Sequence, residues 1–357
     1  MKLGLGLYRQ MLTQRNYNFA KQLGVTHIIA HLVDYFNDDP RLPGKTDNGW
    51  GATQGLKDDW SVQTLRALKD EIEASGLTLA GIENFDPIHW HDVLLDGPKR
   101  DQQIDFIKTI IRNMGEVGIP VMGYNFSLAG VWGWRQGPFA RGGAQSVGLV
   151  ESDIEGEHPI PNGMVWNMIY DPDAPEGFLE PVTHEQLWQR VEHFLSEIIP
   201  VAEEAGVKLA AHPDDPPMPT MRGHARLIHK PKYYDKLFNL MPSENNTAEF
   251  CMGTVSEMGD DDIYQIIDRY SKSNKIGYVH MRNVVGSVPN YNEVFIDEGD
   301  IDVLRVLKIL HKNNYQGVIT PDHTPQLDCD GSWHAGMAYA VGYLKAGLKQ
   351  LEKHGRD

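Results

Sequence analysis

KLGLGLYRQ, residues 2–10, decides between two architectures. Its apolar, glycine-spaced start reads as a short strand, and a helical segment follows it. Its glycines invite a search for a phosphate-binding turn. They do not fall in the GxGxxG spacing that opens a dinucleotide-binding sheet. That disfavours a doubly wound open sheet, and the alternation that follows favours a closed barrel. THIIAHL, LTLAGIEN, IPVMGYNF, VKLAAHP, NTAEFCMG, IGYVHMRNV and GVITPDH are seven further strand-like runs. Helical patterns separate most of them. SVQTLRALKDEIEASG starts on a Ser61 cap and stops at Gly76; QQIDFIKTIIRNMGEVG is amphipathic. HEQLWQRVEHFLSEIIPVAEEAG is helical with Pro200 expected to interrupt it, and the last helix is expected over residues 336–353. Eight βα units predict an α/β fold of the (β/α)8 TIM-barrel type.

Two segments break the rhythm. One is a loop rich in Asp, Gly, Asn and Pro up to about Trp50. The other, residues 127–182, is rich in Gly, Pro, Trp and Asp and follows the fourth strand. It is too long for an ordinary connection and is expected to be an inserted lid or binding loop on a single domain. The chain of 357 residues carries a formal charge of -16, which argues against nucleic acid and anionic membranes as partners. It does not exclude a small anionic substrate, because local charge decides that. No apolar run reaches membrane-span length and no signal peptide is read at the N-terminus. Cys251 and Cys329, the two cysteines, read as free thiols in a reducing compartment, so a cytoplasmic location is expected.

The strand ends carry the chemistry. His212 ends strand five, Cys251 strand six, His280 strand seven, and Asp322 with His323 strand eight. In a parallel barrel these ends open on one face, so residues distant in sequence converge there. Imidazole, thiolate and carboxylate together suit a transition ion such as Mn²⁺, Fe²⁺, Co²⁺ or Zn²⁺. The thiolate argues against Mg²⁺ and Ca²⁺. Each residue alone has a plainer reading: His212 as a strand cap, Cys251 as a small buried hydrophobe, Asp322 as a helix cap. Four such coincidences at one depth favour a metal site. The remaining histidines, His31 among them, read as structural or surface residues.

HPDDPP, FCMGT, HMRNV, DEGDID and PDH, in that order and spacing, resemble the motifs of the mannonate dehydratase family, and GIPVMGYNF resembles its fourth strand. The resemblance implies a metal-dependent TIM barrel that converts D-mannonate to 2-keto-3-deoxy-D-gluconate. It implies His212, Cys251, His280 and Asp322 as ligands of Mn²⁺ or Fe²⁺. It implies His323 as an acid/base residue, with Arg282 and Asn125 near the substrate. Tyr8, Asp214 and Glu83 are further substrate-binding candidates, and His89 matches a family histidine after strand three. The family's catalytic tyrosine lies after strand eight. Here that region reads GSWHAGMAYAVGY, with Trp333 or His334 nearest by position and Tyr339, the candidate taken, later on the helix.

The C2 proton of a sugar acid is weakly acidic, so its removal wants a cation at the carboxylate. Arg282 can add fixed positive charge. The C3 hydroxyl leaves only with a proton, so a base and an acid must flank the substrate. The partner is therefore expected to be a small sugar acid; a homo-oligomer is compatible with the sequence but is not read from it. A metal-dependent sugar isomerase or epimerase is the alternative, and a sugar-binding metalloprotein without turnover a third.

Overall fold

The computed structural model describes residues 1–35, 51–53, 55–154, 159–259 and 262–354. Residues 36–50 of the expected loop, and His158, lie outside the described residues. Eight parallel strands close a barrel in chain order: β1 (Lys2–Leu7), β2 (His27–His31), β3 (Thr78–Glu83), β4 (Val121–Tyr124), β5 (Lys208–Ala211), β6 (Asn246–Cys251), β7 (Ile276–His280) and β8 (Val318–Thr320). The closing pair is β8 with β1, where Lys2 faces Val318. Eight helices follow the strands: α1 (Gln14–Leu23), α2 (Val62–Ala74), α3 (Arg100–Val117), α4 (His184–Ala205), α5 (Lys232–Leu240), α6 (Ile263–Lys272), α7 (Val303–Lys312) and α8 (Ser332–His354). The barrel predicted from the alternation is the observed fold.

Local chemistry explains the helix ends. The Ser61 hydroxyl accepts from Thr64 N at the start of α2, satisfying one of the orphaned first-turn amides. Thr183 and Gln186 cap α4 reciprocally, and Gly206 ends it at φ 69°. Pro200 does not interrupt α4, contrary to the sequence expectation: the helix runs unbroken through it. Proline removes one N–H from the ladder, while Ile198, Ile199, Val201 and Ala202 around it are buried and hold the helix on the barrel. The last helix begins at Ser332, four residues earlier than expected.

The apolar core has two parts. The larger lies between strands and helices, where Leu5, Ile28, Ile82, Met122, Leu209 and Phe250 meet the buried helix faces. The smaller fills the barrel itself with Ile29, Ala80, Ala210, Tyr278 and Val318. Strand side chains alternate faces with period two. The residue two beyond an inward-facing one therefore also faces inward, one layer nearer the rim. Ile29 leads to His31, Ala210 to His212 and Tyr278 to His280. The site follows from that parity.

The chain between β4 and α4 builds a roof. A hairpin of Arg135–Ala140 and Ala144–Leu149 pairs with a second hairpin, Asn283–Ser287 and Asn290–Val294, which follows β7. Tyr291 lies opposite Leu149 and Asn292 opposite Gly148. The result is a four-stranded antiparallel sheet made from two loops far apart in sequence. The loop after β8 is tied to it, since Gln326 N donates to Gln145 O at 2.7 Å.

Candidate active site

The C-terminal rim of the barrel surrounds a cavity of about 490 Å³. It is lined by His212, His280, Asp322 and His323 and, from the first four strands, by Tyr8, His31, Glu83 and Asn125. The roof adds Trp134, Gln136, Gln145 and Ser146, and the start of α8 adds Trp333 and Met337.

Donor atoms of His212, Cys251 and His280 all lie within 4.8 Å of one another. Asp322 stands beside them: its Oδ2 is 3.9 Å from Cys251 Sγ and its Oδ1 is 3.8 Å from His280 Nδ1. The two imidazoles are oriented by their other nitrogens. His212 Nδ1 is 2.6 Å from Pro213 O, so it donates there and Nε2 is the nitrogen left to face an ion. His280 Nε2 is 3.1 Å from Glu83 Oε2. Its Nδ1 is buried without a hydrogen-bond partner, an arrangement typical of a histidine whose far nitrogen is fixed by a carboxylate while the near one binds metal. A second set, Glu83, Glu249 and His280, also has its donor atoms within 4.8 Å. Its contact to His280 is the orienting hydrogen bond just described.

The charges agree with a cation site. Burial alone would raise the Cys251 thiol, but Arg282, His212 and His280 overcome that and hold it well below the usual thiol range. Burial works likewise against Asp322, and His323, His280 and Arg282 hold its carboxyl low. Burial would lower His212, yet Glu249 and Cys251 raise it to about 10. Two soft-to-borderline nitrogens, a thiolate and a carboxylate on one wall form a donor set that fits a divalent transition ion.

Several expected residues are placed differently from one another. Asn125 lines the cavity, its Nδ2 donating to Pro213 O at 3.2 Å. Tyr8 lines it too, with its ring 5.0 Å from His31. Glu83 is on the wall, and accepts from Tyr278 Oη at 3.0 Å as well as meeting His280. Arg282 is not on the wall. Its guanidinium is enclosed by Asp215 at 2.7 Å, Glu257 at 3.1 Å, Asp322 at 3.3 Å and Glu293. It serves as a counter-charge from behind.

Asp214 and Asp215 diverge. Asp214 turns away to accept from Leu227 N and Ile228 N at 2.6 and 2.7 Å and to pair with Arg226 at 3.2 Å. Asp215 faces the cavity. Tyr339 is not in the cavity: it is 39% exposed, and its hydroxyl accepts from Arg141 Nη2 at 3.3 Å. Trp333 and Met337 are the residues of that region that line the cavity, whereas His334 bonds Asn16 Oδ1 at 3.0 Å. His89 packs its ring 4.9 Å from Phe106, outside the cavity lining.

Three titratable residues of the site, His31, Glu249 and Glu293, lie outside the expected set. His31 ends β2 as His212 follows β5, so the same signal was present for it. Glu249 is wholly buried two residues before Cys251. Burial and then Glu83 push its carboxyl above the ordinary carboxylate range. A lone carboxylate inside the apolar run NTAEFC was its signal. Glu293 comes from the second hairpin, where nothing in the local pattern marked it.

A profile of the D-mannonate dehydratase (UxuA) family matches residues 52–150 and 173–355. The chain belongs to this family. Mannonate dehydratases of Streptococcus pneumoniae and Streptococcus suis are each 33% identical to it over 276 residues, 74% of this chain and 74% of theirs. The crystal structure of mannonate dehydratase from Streptococcus suis serotype 2 superposes with a TM-score of 0.78 at 26% identity. It covers 99% of this chain and 96% of that one. A structure of L-ribulose 3-epimerase, at TM-score 0.57 and 13% identity over 100% of this chain and 97% of that one, shares the barrel fold. The family profile leaves out residues 151–172, which lie between the roof hairpin and α4.

Proposed function

We propose that the protein removes water from D-mannonate to give 2-keto-3-deoxy-D-gluconate, with a divalent ion, Mn²⁺ or Fe²⁺, held by His212, Cys251, His280 and Asp322. The observation that carries this reading is the convergence of His212, His280, Asp322 and His323 on one cavity, with the Cys251 thiol buried directly beside them, inside a member of the D-mannonate dehydratase family. The ion, when bound, supplies positive charge beside the substrate carboxylate, and so favours loss of the C2 proton.

The chain's own residues do the rest. The C2 proton must pass to a base, and the C3 hydroxyl must receive a proton and leave as water; the enol that remains tautomerises to the ketone. His323 takes one of these two proton-transfer roles, because its side chain is 31% exposed on the cavity side and sits next to Asp322. Arg282 fixes the positions of Asp215 and Asp322 and offsets their charge. Asn125 and Tyr8, which line the same cavity, contact the substrate. Residues 127–182 act as the lid of the single domain, through the hairpin and Trp134. Two free thiols suit a reducing, cytoplasmic setting, and a homo-oligomer is expected from light scattering after gel filtration. Among the described residues no helix is long and apolar enough to cross a membrane.

The test is incubation of manganese- or iron-loaded protein with D-mannonate, followed by assay for a 2-keto-3-deoxy acid. Formation of that acid is the expected result. Isomerised or epimerised sugar with no loss of water would transfer the protein to the alternative reading. Metal-dependent thermal stabilisation without turnover of any aldonate would leave a binding protein.

A further inference from the structure

His323 does not stand alone. Its Nδ1 lies 2.6 Å from Glu293 Oε2, and its Nε2 lies 3.4 Å from Asp322 Oδ2 on the cavity side. Trp134 packs edge-on, its ring centroid 5.5 Å from the imidazole. Glu293 is 3% exposed. It belongs to the hairpin after β7, paired there with Val284. That hairpin is braced on both sides. Tyr291 pairs with Leu149 in the roof, and its hydroxyl accepts from Trp134 Nε1 at 2.9 Å and donates to Asp215 Oδ1 at 3.3 Å.

The other oxygen of Glu293 meets Arg282 Nη1. Arginine can only donate. One oxygen of Glu293 is therefore committed to accepting, and a carboxylate leaves the second to accept as well. The imidazole must present Nδ1–H to it. We propose that Glu293 is a positioning residue that holds His323 with Nδ1–H directed at the roof hairpin, so that Nε2 is the atom that exchanges a proton with the substrate. A histidine in a catalytic site commonly has one nitrogen fixed by a carboxylate in this way, and the neighbour decides the tautomer. Here the neighbour comes from a loop of a different βα unit, and the orientation of His323 depends on the roof being formed.

A Glu293→Gln substitution tests the idea sharply. The amide oxygen is drawn to Arg282, which turns the NH₂ group toward His323. Nδ1 must then accept, and the proton moves to Nε2. In diamagnetic, zinc-loaded protein with ¹⁵N-labelled histidine, His323 is assigned by its absence in His323→Asn. In its neutral form the ring is expected to carry its proton on Nδ1 in the parent and in Glu293→Asp, and on Nε2 in Glu293→Gln. An unchanged tautomer in Glu293→Gln would overturn the proposal.

Turnover gives an independent reading. Glu293→Gln is expected to lower kcat about 10- to 100-fold with KM changed less than about threefold and bound metal unchanged. In a His323→Asn background the same substitution is expected to cost nothing further, since groups acting as one unit are not additive. Full additivity would show that Glu293 acts through Arg282 and the metal wall instead, and would overturn the assignment. The inference rests on His323 being the proton-transfer group proposed above, but the tautomer measurement needs no turnover. Protein that fails to dehydrate D-mannonate yet shows the shift would remove the reaction and keep the positioning.

Discussion

The two halves of the barrel rim are built from the same kind of strand end and do different work. From β5 to β8 the rim presents His212, His280, Asp322 and His323, with Cys251 buried beside them and the enclosed Arg282 and its carboxylates behind. From β1 to β4 it presents Tyr8, His31, Glu83 and Asn125, backed by aromatic rings such as Tyr35 and Trp166. The first half concentrates charge that only a cation or protons can balance. The second shapes space and offers mostly neutral hydrogen-bonding groups. Chemistry is thus gathered on consecutive strands, where rim positions are neighbours, while the facing strands select what reaches it.

Substitutions can break this division. The largest effect is expected on the metal side: Cys251→Ala should lose the divalent ion and lower turnover at least about 100-fold, measured by elemental analysis and keto-acid assay. Retained metal with unchanged rate would end the assignment of that wall. His323→Asn should lower kcat about 100- to 10,000-fold while keeping the ion, separating proton transfer from metal binding. Asp214→Asn should act on stability instead. It weakens a buried pair with Arg226 and the two hydrogen bonds that the carboxylate accepts from backbone amides, so unfolding should become easier by about 3 kcal/mol, read by urea titration, with residual activity per folded molecule preserved. On the opposite half, Tyr8→Phe should raise KM a few-fold, roughly the worth of one hydrogen bond, with little change in kcat. Tyr339→Phe should change neither constant, because its hydroxyl is held on the surface by Arg141. A large loss there would require a rearrangement that brings α8 toward the cavity.

The sequence made the barrel legible because each strand is short, apolar and followed by a helix with its own stop signal. It made the metal wall legible because His212, Cys251, His280 and Asp322 each stand at a strand's C-terminal end, a position whose meaning is set by topology alone. His31 carries the same mark, although among scattered histidines it reads as structural or surface. Glu293 and Trp134 were unreadable for a deeper reason. Their places depend on one hairpin finding another more than 130 residues away, and strand pairing at that separation leaves no periodicity in either segment. Asp214 and Asp215 show a further limit: adjacent identical side chains point in opposite directions, and only the fold of the following loop, with Arg226 and the amides of Leu227 and Ile228, decides which one is structural. Tyr339 is the first tyrosine after strand eight, but the helix turns it to Arg141 on the surface and places Trp333 and Met337 at the cavity.

The shared sheet also constrains how this scaffold can be re-engineered. Grafting a relative's loop onto the fourth unit alone would leave the partner hairpin with bare amide and carbonyl groups along Tyr291 and Asn292, an open edge prone to sticking to other chains. Chimeras that trade substrate preference should therefore move both ribbons as a matched pair.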